Sequence, residues 1–117
     1  MPNTQDLTSI HMREWTWNQA EKIVARRAFD QALKQDLGAV ISMAKERAAQ
    51  ITKPAELWEL EEWLGNQRRR IDNEFDYRYS VLPLVFTALL RSGRLKEDDL
   101  AGIDPAKLDI IRKMTSY

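Results

Sequence analysis

"TWNQAEKIVARRAFDQALKQDLGAVISMAKERAAQI", residues 16–51, runs without a proline and with one glycine, Gly38. Apolar side chains recur along it at Ala25, Phe29, Leu33, Leu37, Val40, Ala44, Ala48 and Ile51, in steps of four or three, the period of one helical face. Lys22, Arg26, Lys34, Lys45 and Glu46 fall largely away from that face. Thr16 and Gln19 have the spacing of a capping box, so the helix is expected to begin there. About 35 helical residues make a rod of about 50 Å. That is longer than a small domain covers by itself, and a second copy of the chain is the simplest cover for the overhang.

Outward from this rod the other elements read as helices too. Pro54 lacks an N–H and starts a helix more easily than it continues one, so a second helix is predicted from Pro54 to about Tyr77. Gly65 and Asn66 are weak formers within it and mark a place for a kink. Ser80 is a good N-cap for a third, mostly buried helix that tolerates Pro83 near its start and is closed by Gly93. "KEDDLAG" (96–102) forms a short turn of helix, and Asp104 with Pro105 opens the last one. No segment alternates with period two for long enough to make a strand. The class is all-α: residues 1–14 form a loose arm and 15–117 a single helical domain.

The 117 residues suit one domain with a modest core. Eighteen basic residues balance eighteen acidic ones, which argues against a dedicated nucleic-acid binder. There is no cysteine, hence no disulfide framework. No apolar run approaches a membrane span, and the first residues lack a signal-peptide order, so a cytoplasmic protein is expected. His11 is the only histidine, and it lies in the arm. Nucleophile–base pairs, phosphate loops and di-iron spacings are all missing, so neither enzyme activity, cofactor nor bound metal is expected.

"LWELEEWLGNQRRRID" (57–72) carries the candidate site. At about 100° per residue from Trp58, Leu57, Leu60, Leu64, Ile71 and Phe75 form one apolar stripe at about 200–260°. Trp58 stands off it among Glu61, Glu62, Gly65, Arg68, Arg69 and Asp72, whereas Trp63 lies at the stripe's edge. Three readings follow from the residues. Trp58 lies along the surface or on the long helix; or Trp58 and Arg68 anchor a protein-docking face, being residue types enriched in hot spots; or Arg68–Arg70 contacts nucleic acid, against the intervening carboxylates.

"WNQAE" (17–21), "LWELEEWL" (57–64), "RRRIDNEFDYRYSVL" (68–82), "VFTALLRSG" (85–93) and "LAGIDPAK" (100–107) together resemble the fluorescence recovery protein family, over about residues 17–112. The most specific part is Leu57-Trp58, then Arg68, Ile71-Asp72, Asp76, Arg78 and Ser80. The resemblance implies an all-helical homodimer of long helices with small helical heads, itself carrying no carotenoid. It implies a partner, the C-terminal domain of the photoactivated orange carotenoid protein, whose red-to-orange return is accelerated and which is detached from the phycobilisome. It places partner binding on Trp58, Glu61, Glu62, Arg68 and Leu84, with Lys107 or Lys113 for a displaced lysine, and the dimer contact on Leu57; the apolar stripes add Leu60, Leu64, Val40 and Ala44 to that contact. Glu61 stands where a histidine is expected, Glu62 where the family has an aspartate, and Leu84 where an aromatic is expected. A homologous helical dimer with another protein partner is the alternative.

Overall fold

The computed structural model describes residues 15–117. Residues 1–14, read as a loose arm, lie outside the described residues, and His11 with them. The described residues form four α-helices: α1 (Gln19–Ala49), α2 (Pro54–Glu74), α3 (Leu82–Arg91) and α4 (Pro105–Thr115), with a 3-10 turn at Glu97–Leu100. Among the described residues there is no strand, only one isolated bridge between Ala101 and Ile103. None of the helices is long and apolar enough to cross a membrane. The described chain measures 62 × 29 × 22 Å. α1 and α2 form a stalk, and α3, the 3-10 turn and α4 form a head around the first half of α1.

The start of α1 corrects the Thr16–Gln19 expectation. The capping box is Asn18 with Glu21: the Glu21 N–H donates to Asn18 Oδ1 at 2.8 Å, and the Asn18 N–H donates to Glu21 Oε1 at 3.1 Å. The displacement has a packing cause. Trp17 is buried, with its ring 6.2 Å from Trp15 and 5.8 Å from Tyr79, which keeps the chain extended past Thr16. At the other end α1 stops at Ala49, short of Ile51. Lys53 precedes proline and is held extended (φ −127°, ψ 147°), because the Pro54 ring disfavours helical backbone before it.

α2 continues through Gly65 and Asn66 without a break in the helix. It ends at Glu74, before the expected Tyr77, because the chain then turns extended and inserts its aromatic rings. Phe75 and Tyr77 meet Phe29 edge-on at 5.5 and 4.9 Å, and Tyr79 lies 5.6 Å from Tyr77. Asp76 and Arg78, between those rings, pair at 2.5 Å, an i, i+2 contact that a helix does not permit. Arg26 sits over the Tyr77 ring at 4.5 Å and Lys22 over Tyr79 at 5.5 Å. Burial pushes the Tyr77 phenol up to about 12.

α3 starts at Leu82 with Val81, not Ser80, at the cap position. The Arg78 carbonyl already accepts from the N–H groups of Val81 and Leu82 at 2.9 Å each, and Pro83 has no N–H to satisfy. Gly93 closes this helix with a positive φ of 76°. Asp104 caps α4 by accepting from the Ala106 N–H at 2.9 Å, with Pro105 at the first helical position.

The core belongs to the head. Phe86 and Leu82 are fully enclosed, and Leu89, Leu100 and Ile111 nearly so. Burying each such side chain contributes about 1.5–3 kcal/mol. From α1 the core takes Phe29 together with Ala25, Ala28 and Ala32, and the three alanines let the head approach the helix closely. After Asp36 the helix has no buried residue: Leu37 is 42%, Ile41 55% and Met43 44% exposed. α2 mirrors this, with Ile71 buried near the head but Leu57 and Leu64 exposed towards the tip. Of the first apolar stripe beyond Asp36, Leu37 and Ala48 are exposed and Val40, Ala44 and Ile51 only half-buried, so both stripes are incompletely covered in the single chain.

One tight approach in the head yields a stability prediction. Gly102 has φ +108°, and a Cβ placed there would lie 2.9 Å from Val24 Cγ2 on α1. Gly102→Ala combines left-handed strain with overpacking and is expected to cost about 2–4 kcal/mol. Urea denaturation followed by circular dichroism reads this directly, and an unchanged midpoint would show that Val24 moves aside freely.

Candidate functional site: the outer face of the second helix

α2 is an unbroken helix packed on one side against α1, and its outer side carries the candidate residues. Trp58 is 61% exposed. Glu61, Glu62 and Arg68 are also exposed and form no ion pair among the described residues. Leu57, Trp58, Leu60, Glu61 and Leu64 line a shallow groove of about 260 Å³, largely apolar. A large aromatic, two carboxylates and a guanidinium thus share a rigid surface with their polar capacity unspent. Exposed tryptophan and arginine side chains are the residue types enriched in protein-docking hot spots.

The three arginines of residues 68–70 do different work. Arg69 folds back along the helix and donates to Asn66 Oδ1 at 2.5 Å, its guanidinium resting where Gly65 has no side chain. Arg70 turns inward and forks onto Asp36 of α1, at 2.8 and 2.9 Å, with Glu74 at 2.9 Å. Arg68 remains open to solvent. On the helical wheel Arg70 lies at about 120°, beside Trp63 rather than Trp58, so its inward turn is consistent with the period. Trp63 itself is half-buried, with Arg47 of α1 over its ring at 4.6 Å. That contact clamps the stalk near its tip.

The remaining candidates are dispersed. Leu84 is 52% exposed on α3, in the head. Lys107 is engaged inside the head and has little left for a partner. Its Nζ donates to both Glu21 oxygens at 2.8 and 2.9 Å and to the Thr16 carbonyl at 2.5 Å, and lies 4.7 Å from the Trp17 ring centre. The buried Glu21 also accepts from the Asp104 N–H at 3.1 Å. Burial pushes the Glu21 carboxyl up, but Lys107 and the Asp104 and Asn18 amides outweigh it and hold it below its ordinary value. The anchoring of α4 to α1 is thus the work of Lys107. Of the residues assigned to a dimer contact, Val40, Ala44 and Leu60 are half-buried, and Leu57 and Leu64 are exposed.

Sequence reading missed a second charged group, Asp36 with Arg70, Glu74 and Arg94. Arg94 Nη1 lies 2.5 Å from Glu74 Oε2, and its Nε lies 3.4 Å from Asp36 Oδ2. The Asp36 carboxyl is held below its ordinary value by donation from Arg70, against the opposing effect of burial and with help from the Arg94 charge. The one available signal was Asp36 itself, an acidic residue within a step of the apolar Ala32, Leu33 and Leu37.

Comparison with known proteins agrees with this geometry. Residues 17–115 match the family described as "Photoprotection regulator fluorescence recovery protein". The chain is 32% identical over 105 residues to the fluorescence recovery protein of Synechocystis sp., covering 90% of this chain and 96% of that one. The solved fluorescence recovery protein of Fremyella diplosiphon superposes with a TM-score of 0.83 at 35% identity, over 87% of this chain and 100% of that one. The solved Synechocystis protein gives 0.82 at 30% identity with the same coverage. A helical stalk and head matched over nearly their whole length, at such identities, leave one conclusion: the chain belongs to the fluorescence recovery protein family of photoprotection regulators.

Proposed function

We propose that this chain acts without bond-making chemistry, as a homodimer that binds photoactivated orange carotenoid protein and speeds its return from the red to the orange form. The observation that carries the reading is Trp58, exposed on the same helix as Glu62 and Arg68, which are exposed too and form no ion pair among the described residues. A regulator of this kind lowers the barrier to domain reassociation by binding the intermediate arrangement better than the open one. The test is to mix the protein with photoactivated orange carotenoid protein in the dark and follow the red-to-orange absorbance change. Several-fold acceleration is expected; no acceleration at excess protein overturns the assignment and leaves a helical relative with another protein partner. A nucleic-acid role for the arginine triplet is disfavoured because Arg69 and Arg70 are engaged within the chain.

The dimer is supported by the incompletely covered stalk. Leu37, Ile41, Leu57 and Leu64 expose 39–55% of their surface each, on two adjacent helices. A second copy laid on this face would bury those side chains at about 25 cal/mol per Å². Leu64→Glu places a charge in that contact and is expected to give a monomer with intact head helices. Sedimentation velocity decides it, and a variant that remains dimeric would move the interface elsewhere.

A further inference from the structure

The charged group at the junction of stalk and head joins three separate pieces of chain. Asp36 comes from α1, Arg70 and Glu74 from the end of α2, and Arg94 from the loop after α3. The two carboxylates and two guanidinia balance, and the Asp36 side chain is 5% exposed. Stability alone is a poor account of such a group, since apolar replacements of enclosed ion networks are often neutral or better. What a forked guanidinium has that an apolar contact lacks is direction: two parallel bonds fix an angle.

Direction is what this junction requires. α2 is joined to the head through the non-helical residues 75–81. Among the described residues, the pair of Arg94 with Glu74 is the only ion pair between α2 and the segment beyond residue 81. Arg94 also reaches Asp36, so one guanidinium touches both stalk helices. Trp58 and Arg68 lie on the stalk side of this joint and Leu84 on the head side.

We infer that Arg94 is a positioning residue: by gripping Glu74 and Asp36 it fixes how α2 lies against α1 and the head, and so presents the Trp58 face and Leu84 to one partner in fixed register. The placement of α2 rests on these contacts; its use in partner binding rests on the docking reading above.

The absence of cysteine makes the test direct, because two introduced thiols are the only labelling sites. Spin labels at Glu59→Cys on α2 and Ala88→Cys on α3, both exposed positions, report the stalk–head distance. The labelled chain is diluted with excess unlabelled chain, so that each dimer carries one labelled copy. The parent is expected to give one narrow distribution, Arg94→Gln a broadened or second one, and Arg94→Lys, which keeps the charge but not the fork, a smaller change. Arg94→Gln is also expected to weaken partner acceleration about tenfold, the size of a modest coupling. A distribution as narrow as the parent's in folded Arg94→Gln overturns the proposal. If that variant loses helix content, Glu74→Gln breaks the same link while leaving Asp36 with Arg70. Unfolding there too would make the group part of the core rather than a joint, and would likewise overturn it. Loss of the docking reading shows separately, as a normal rate with Arg68→Leu, and leaves the distance result standing.

Discussion

Arg68→Leu should reduce the acceleration of carotenoid-protein recovery by about 30-fold or more, the effect of removing a hot spot of about 2 kcal/mol. The protein should otherwise be unchanged. Arg68 is exposed and has no ion-pair partner among the described residues, and leucine is as good a helix former as arginine. Stability should therefore move by less than about 0.5 kcal/mol. The two measurements together separate a docking residue from a structural one. A lost rate with unchanged helix content and stability supports docking, a loss of either makes Arg68 structural, and an unchanged rate removes it from the partner surface. Arg70, two residues on, should give the opposite pattern, because its guanidinium is committed to Asp36.

Asp36→Leu is expected to be the most damaging single change to the fold, at about 3–5 kcal/mol, because it leaves Arg70 and Arg94 facing one another with Glu74 as their only carboxylate. Urea denaturation at neutral pH measures it; a loss below about 1 kcal/mol would mean that water or rearranged side chains replace the carboxylate. The effect should also depend on pH in one direction. The folded Asp36 carboxyl titrates below its unfolded value. Its stabilisation is thus complete above the unfolded value, near pH 4, and is lost as the pH falls through the folded one. Glu21, lowered in the same sense, adds to the loss of parent stability in acid. The gap between parent and variant should therefore narrow on acidification.

Much of the fold was legible because its signals are local. The four-and-three spacing from Ala25 onward, Pro54, Gly93 and the Asp104-Pro105 pair each specify an element by backbone chemistry alone. The misplaced boundaries share one cause, aromatic packing across the head. Trp17 holds the chain extended ahead of Asn18, and the Phe75, Tyr77 and Tyr79 rings end α2 early. The alternation of Phe75, Tyr77 and Tyr79 was itself a period-two signal, too short to stand against a helical stripe. The outer face of α2 followed from the wheel. The inward turns of Arg70 and Lys107 did not, because each depends on a carboxylate far away in sequence, Asp36 and Glu21. A charge at the surface of one helix is read from that helix; a charge between two is not.

The uncovered stalk also governs how this protein moves through solution. The described residues have a radius of gyration of 17.8 Å, where a compact domain of that length has about 13 Å. A rod-like molecule drags more solvent than a sphere of equal mass, so even a single copy will leave a gel-filtration column early and mimic a heavier particle. An elution volume read against globular standards would therefore count copies too generously, and would make a successful Leu64→Glu monomer look like a failure. Methods that weigh the particle, or that fit its friction separately from its mass, are the ones this shape demands.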